Sequence, residues 1–200
     1  ALARCRAERA GETAAAINAS LDHLRPWMAW ATEPATEAKM GVFLATAEEP
    51  DGPTIRGLSA LARSFTVAIV AGFIEQNQEH PARPFNSAAV IDRGGRVAGV
   101  YRKTHLFRRE HEGFARGDNY PTFDLHLTDD NRPTRVGVCI CADIEYPEVA
   151  RLLALGGAQL VCVPSADMDP YRAQQAANLA SRAIENNVYV ALANTVDRRA

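Results

Sequence analysis

Short, wholly apolar runs alternating with stretches of helical spacing constrain this chain more than any other feature. Val67-Ala-Ile-Val-Ala71, Val136 to Ile140, Leu160-Val-Cys-Val-Pro164 and Val188 to Ala193 each run five or six residues with no polar alternation. Such a run must be covered on both faces, the signature of a strand inside a layered α/β fold rather than one half-exposed to water. Helical stretches lie beside these runs. Thr54 to Ser64 sets Ile55, Leu58, Leu61 and Ala62 on one face, Pro147 to Leu155 has proline first and Gly156 just past its end, and Gln174 to Glu185 is rich in helix formers. Ser87 to Asp92 and Arg96 to Tyr101, flanking Gly94-Gly95, predict a β-hairpin. The order predicts an α/β sheet system covered by helices.

Composition removes several function classes. With 200 residues, 47% apolar and 23% charged, the chain can bury one sizeable core, which excludes a disordered or fibrous protein. Twenty-two Lys+Arg against 24 Asp+Glu give a net charge of -2, so neither nucleic acid nor an anionic membrane is an expected partner. No apolar run reaches the roughly 18 residues of a membrane span, and the opening Ala1-Leu-Ala-Arg-Cys-Arg6 lacks the order of a signal peptide, so a cytoplasmic location is expected. Ahead of the alternating region, residues 12–24 predict an amphipathic helix with Ile17, Leu21 and Leu24 on one face, stopped at Arg25-Pro26. Trp27 and Trp30 follow as packing residues, then a second helix over about 35–47 and a turn at Glu48-Glu-Pro-Asp-Gly52. Both ends read as cut from something longer.

The sharpest chemical feature lies where a buried strand meets a helix. The strand reading ends at about Ile140 and the helix cannot begin before Pro147, which puts Cys141 on the bend between them. A thiol there is lifted out of the sheet toward helix N-terminal dipoles that favour the thiolate. Of the four cysteines, Cys139 and Cys162 fall inside strands and are expected to be inert buried thiols; no Cys-x-x-Cys pair exists. Asp143 is a candidate cap of the bend.

Ile140-Cys-Ala-Asp-Ile-Glu-Tyr-Pro-Glu148 resembles the nucleophile motif of the nitrilase, or carbon-nitrogen hydrolase, superfamily. Val70-Ala-Gly-Phe73, Phe85-Asn-Ser-Ala88, Val100-Tyr-Arg-Lys-Thr-His-Leu-Phe107, Phe114-Ala-Arg-Gly-Asp118, Ala158 to Pro164 and Arg182 to Val190 resemble further blocks in the family's order, over roughly residues 52–200. Glu145 and Ser165 to Tyr171 look closest to the aminopentanamidase and stereoselective-amidase group. The resemblance implies a nitrilase-like α-β-β-α sandwich, here incomplete at both ends and preceded by a helical segment (residues 1–50, then 51–200). It also implies three catalytic residues: Cys141 as nucleophile, Lys103 as oxyanion partner and Glu110 as a second carboxylate. Neither metal nor organic cofactor is implied; the partner is a small amide, and a complete domain would be a homo-oligomer. Arg108, Arg109 and Glu112 are expected on a solvated charged face, with His105 and His111 as loop and packing residues rather than metal ligands.

Two departures qualify the resemblance. The family's general-base glutamate belongs to a Phe-Pro-Glu motif, which these residues do not contain; the nearest candidate, Glu33, precedes its proline instead of following it. Residues 4 to about 47, with Ala16 to Trp30 at their centre, are similar to the N-terminus of ribosomal-protein-type N-acetyltransferases, but without the acetyl-coenzyme A motif of those enzymes. The sequence therefore leaves two readings: a cysteine-dependent amidase working through a thioester, or a catalytically impaired nitrilase-fold piece fused to part of a transferase.

Overall fold

The computed structural model describes residues 47–108, 110–128, 132–166 and 171–194. The expected helices over 12–24 and about 35–47, the Trp27/Trp30 cluster and Glu33 lie outside these, apart from Ala47. Helix α1 (Pro53–Phe65) leads into β1 (Ile69–Glu75), β2 (Phe85–Ile91) and β3 (Val97–Arg102). A short helix α2 (Glu110–Gly113) precedes β4 (Thr122–Leu125) and β5 (Thr134–Val138). After a 3-10 helix (Cys141–Glu145) come α3 (Pro147–Leu155), β6 (Leu160–Ser165), α4 (Arg172–Asn186) and β7 (Tyr189–Asn194). The first three strands form one antiparallel sheet; the other is ordered β4-β5-β6-β7, antiparallel at its first pair and parallel at the other two.

Alternation along the strands builds three apolar layers. On β2, Ala89 and Ile91 face outward and pack with Ile55 and Ala62 of α1, while Ala88 and Val90 face inward. The inward set meets Tyr101, Leu125, Val136, Val138 and Ile140, which fills the space between the sheets. On the far side, Val161 and Val163 of β6 pack with Val149, Ala150 and Leu153 of α3. Helix, sheet, sheet and helix are thus stacked as the resemblance implied, and the runs in β5 and β6 are apolar because both faces are covered. The run at Val188 to Ala193, also expected to be covered on both faces, is not: β7 ends the sheet order among the described residues and alternates exposed with half-buried positions, Tyr189 being 78% exposed. Gly99 lets the two sheets approach, since a Cβ there would run into the Phe123 ring of β4.

Boundaries moved where polar groups intervened. The first strand is shifted from the expected 67–71 to Ile69–Glu75, because Thr66 caps α1 in the left-handed region and the Val67 N–H still bonds to Ala62 O, 3.0 Å. At β5 the ladder stops at Val138 rather than Ile140. Cys139 N reaches Cys162 O at 3.2 Å, but Ile140 N donates instead to the Asp143 carboxylate at 2.9 Å. Strand β4 carried too short a pattern to be read from the sequence.

Candidate active site

Two chain segments meet at one buried carboxylate. Cys141 opens the 3-10 helix with φ 49°, a left-handed conformation that costs a side-chain-bearing residue about 1–2 kcal/mol. Asp143, fully buried, holds this turn by accepting from Ile140 N. The same carboxylate accepts from Tyr101 OH at 2.8 Å, Thr104 Oγ1 at 3.2 Å and His105 N at 2.8 Å, all from the end of β3 and the residues after it. The two residues singled out as nucleophile and cation, Cys141 and Lys103, therefore sit on segments that Asp143 ties together. Asp143 was expected to cap the bend; that it also anchors the second segment is a tertiary fact. Burial, with the Asp143 charge beside it, pushes the Tyr101 hydroxyl far above its usual range, so it stays a donor.

Lys103 is only 2% exposed, and its Nζ lies 2.7 Å from Glu110 Oε2. Glu110 begins α2 and is further held by Phe107 N at 2.6 Å and Asn86 Nδ2 at 3.3 Å. Lys103 N in turn donates to Asn86 O at 2.8 Å, so strand β2 fixes both members of the ion pair. The structure thus brings Lys103 and Glu110 together, seven residues apart in sequence. Arg182 of α4 closes the other side: its Nε and Nη2 donate to the carbonyls of Ile144 and Glu145 at 3.1 and 2.8 Å, capping the 3-10 helix that starts at Cys141. Asn86 and Arg182 lay within recognised sequence blocks, but nothing in their spacing announced these contacts.

The remaining expected residues fall into place unevenly. Cys139 is fully buried and Cys162 half-buried, and burial pushes both thiols up, away from the thiolate. His105 stacks on Tyr146 with ring centroids 4.0 Å apart, a packing role as expected. Arg108 is exposed, but it does more than face solvent: it adopts φ 47° and donates to Tyr171 OH at 2.6 Å, linking the loop after Lys103 to the approach of α4. His111 Nδ1 lies 2.6 Å from Arg108 O, and Arg109 lies outside the described residues.

Comparison with known proteins matches residues 33–199 to the carbon-nitrogen hydrolase family, a match that begins ahead of residue 52, where the stretch of resembling sequence blocks starts. An (R)-stereoselective amidase from a Pseudomonas species is 38% identical over 157 residues, covering 78% of this chain and 54% of the amidase. A hydrolase of Pseudomonas protegens is 40% identical over 152 residues, 75% of this chain and 50% of that protein. Among solved structures, Saccharomyces cerevisiae Nit3, of branch 10 of the nitrilase superfamily, superposes with TM-score 0.67 at 28% identity, over 78% of this chain and 56% of Nit3. An amidase from Nesterenkonia gives TM-score 0.61 at 29% identity, over 70% of this chain and 51% of that one. The chain spans about half the length of the relatives it matches.

Proposed function

Since the chain belongs to the carbon-nitrogen hydrolase family, we propose that its site performs cysteine-dependent hydrolysis of a small linear amide, with Cys141, Lys103 and Glu110 as the catalytic residues. The observation that carries this reading is the shared Asp143 anchor, which sets a strained thiol-bearing turn beside a segment bearing a buried, carboxylate-paired lysine. In the reaction, Cys141 Sγ attacks the amide carbon while the Lys103 ammonium stabilises the negative oxygen that develops. The C–N bond breaks, and ammonia leaves carrying the proton that the Cys141 thiol gave up. Water then cleaves the thioester, its hydroxyl going to the acid and its proton returning to the sulfur to regenerate the thiol. Glu110 keeps the ammonium oriented by accepting its hydrogen bond. Relatives named as amidases support the substrate class. The same reading takes the protein as cytoplasmic, cofactor-free and oligomeric once its domain is complete.

A second reading, slow or blocked turnover, is favoured by one sequence observation: no Phe-Pro-Glu occurs in these 200 residues. General acid-base catalysis contributes about 10²- to 10⁴-fold, and a cationic lysine cannot supply it. In this reading the acetyltransferase-like stretch 4–47 stands where the base-bearing segment should be. Incubating the chain with 5-aminopentanamide, and following ammonia release and the intact mass, tests both. Slow acylation at Cys141 with weak turnover is expected. Robust ammonia release abolished by Cys141→Ala and by Glu33→Gln would make Glu33 the base, and no adduct on Cys141 under any condition would remove the thioester mechanism.

A further inference from the structure

On the outer face of the first sheet, behind the Lys103 segment, one carboxylate grips the ends of three strands. Glu75 closes β1 and is 2% exposed. Its Oε2 accepts from Ser87 Oγ of β2 at 2.6 Å, and its two oxygens accept from Arg102 of β3, Nη2 at 2.6 Å and Nε at 3.0 Å. The Arg102 guanidinium also lies over the Phe85 ring, 4.2 Å from its centroid, and Phe85 pairs with Glu75 in the ladder. Gly117 lies so close to Arg102 that a Cβ there would overlap its backbone, and Gly117 N donates to Lys103 O at 2.9 Å.

Strand alternation decides what this grip controls. Ser87 and Arg102 face outward with Ala89 and Ile91, while their neighbours Asn86 and Tyr101 face the space between the sheets. Asn86 and Lys103 are the residues next to Ser87 and Arg102, and they hold the Glu110 carboxylate from two sides. We propose that Glu75 is a positioning residue: by fixing Ser87 and Arg102 from behind, it sets the separation of Asn86 and Lys103 and so the place of the Lys103 ammonium relative to Cys141. This rests on the reading of Lys103 and Cys141 as partners. A paired carboxylate serving the sheet alone would not need to span all three strand ends where the Lys103 segment leaves them.

The ratio of Cys141 alkylation rates with anionic iodoacetate and neutral iodoacetamide, read by peptide mapping on the full chain, reports positive charge at the thiol and is insensitive to global stability while the chain is folded. Lys103→Met sets the scale, with the ratio expected to fall roughly five- to tenfold, the effect of one charge in a half-wet site. Glu75→Gln should lower it about two- to threefold, since the displaced ammonium still acts, but from farther away. Ser87→Ala, which removes only the lightest arm of the grip, should lower it less, and it decides the matter if Glu75→Gln does not fold. A folded Glu75→Gln chain with a lower unfolding temperature and an unchanged ratio would overturn the proposal, as would an unchanged ratio in Ser87→Ala when that variant must stand in. A ratio unmoved by Lys103→Met would instead overturn the pairing of Lys103 with Cys141, and the positioning role with it.

Discussion

Asn187 and Cys141 adopt nearly the same backbone conformation, φ 52° and 49°, for different reasons. Asn187 ends α4, and the bonds that secure it are local: its own N–H reaches Ile184 O at 3.4 Å and Val188 N reaches Ala183 O at 3.2 Å. Asparagine tolerates this region, and a helix C-terminus often uses it. Cys141 follows a strand and terminates no helix. Its turn is held by the Asp143 carboxylate beneath and by Arg182 from α4, 41 residues further on. A left-handed residue at a helix end solves a local problem, whereas one held by buried tertiary bonds stores strain at a place where a side chain must project.

The contrast can be broken in several ways, the largest effect first. Cys141→Ala should remove the fast iodoacetamide labelling that peptide mapping assigns to the described cysteines of the native chain, leaving Cys139 and Cys162 unmodified because burial keeps them as thiols. Fast labelling mapped to Cys162 would mean that the bend does not select the reactive thiol. Asp143→Ala leaves Ile140 N, Tyr101 OH and His105 N without their acceptor and should cost about 2–4 kcal/mol in denaturant unfolding. A cost below roughly 1 kcal/mol, within the range of an ordinary surface change, would show that the turn holds itself.

Smaller effects sharpen the same comparison. Cys141→Gly should be more stable than Cys141→Ala by about 1 kcal/mol, since glycine occupies the left-handed region without the Cβ penalty. Asn187→Gly should gain only a few tenths of a kcal/mol, about the difference between two residues that both suit a helix end. Equal gains at the two sites would remove the distinction between stored strain and ordinary capping.

Much of the architecture was legible because burial on both faces leaves an unmistakable mark. The runs at 136–140 and 160–164 could not be half-exposed strands, and Pro147 with Gly156 bracketed α3 at the bounds found, Pro147–Leu155. The short strand Thr122–Leu125 escaped because four residues with Asp124 among them carry no period worth reading. At the site, residue types and motif order pointed to Cys141, Lys103 and Glu110. The partners that give these groups their geometry, Asn86, Tyr101, Arg182 and the outward-facing Glu75, have no local signal, because their contacts span many residues.

Sequence by itself determined the alternation of strand and helix, the placing of a thiol at the end of a buried strand, and membership in a family of known motif order. These are local or cumulative properties: periodicity, proline and glycine placement, and the succession of short blocks each act within a few residues. Only the tertiary structure decided that β5 ends at Val138, that Asp143 joins the Cys141 turn to the end of β3, and that Lys103 is buried against Glu110. The physical reason is the cost of burial. A buried carboxylate or ammonium must find donors or a counter-charge wherever the fold can bring them. Which residues answer that demand is fixed when the sheets stack, not when the chain is written.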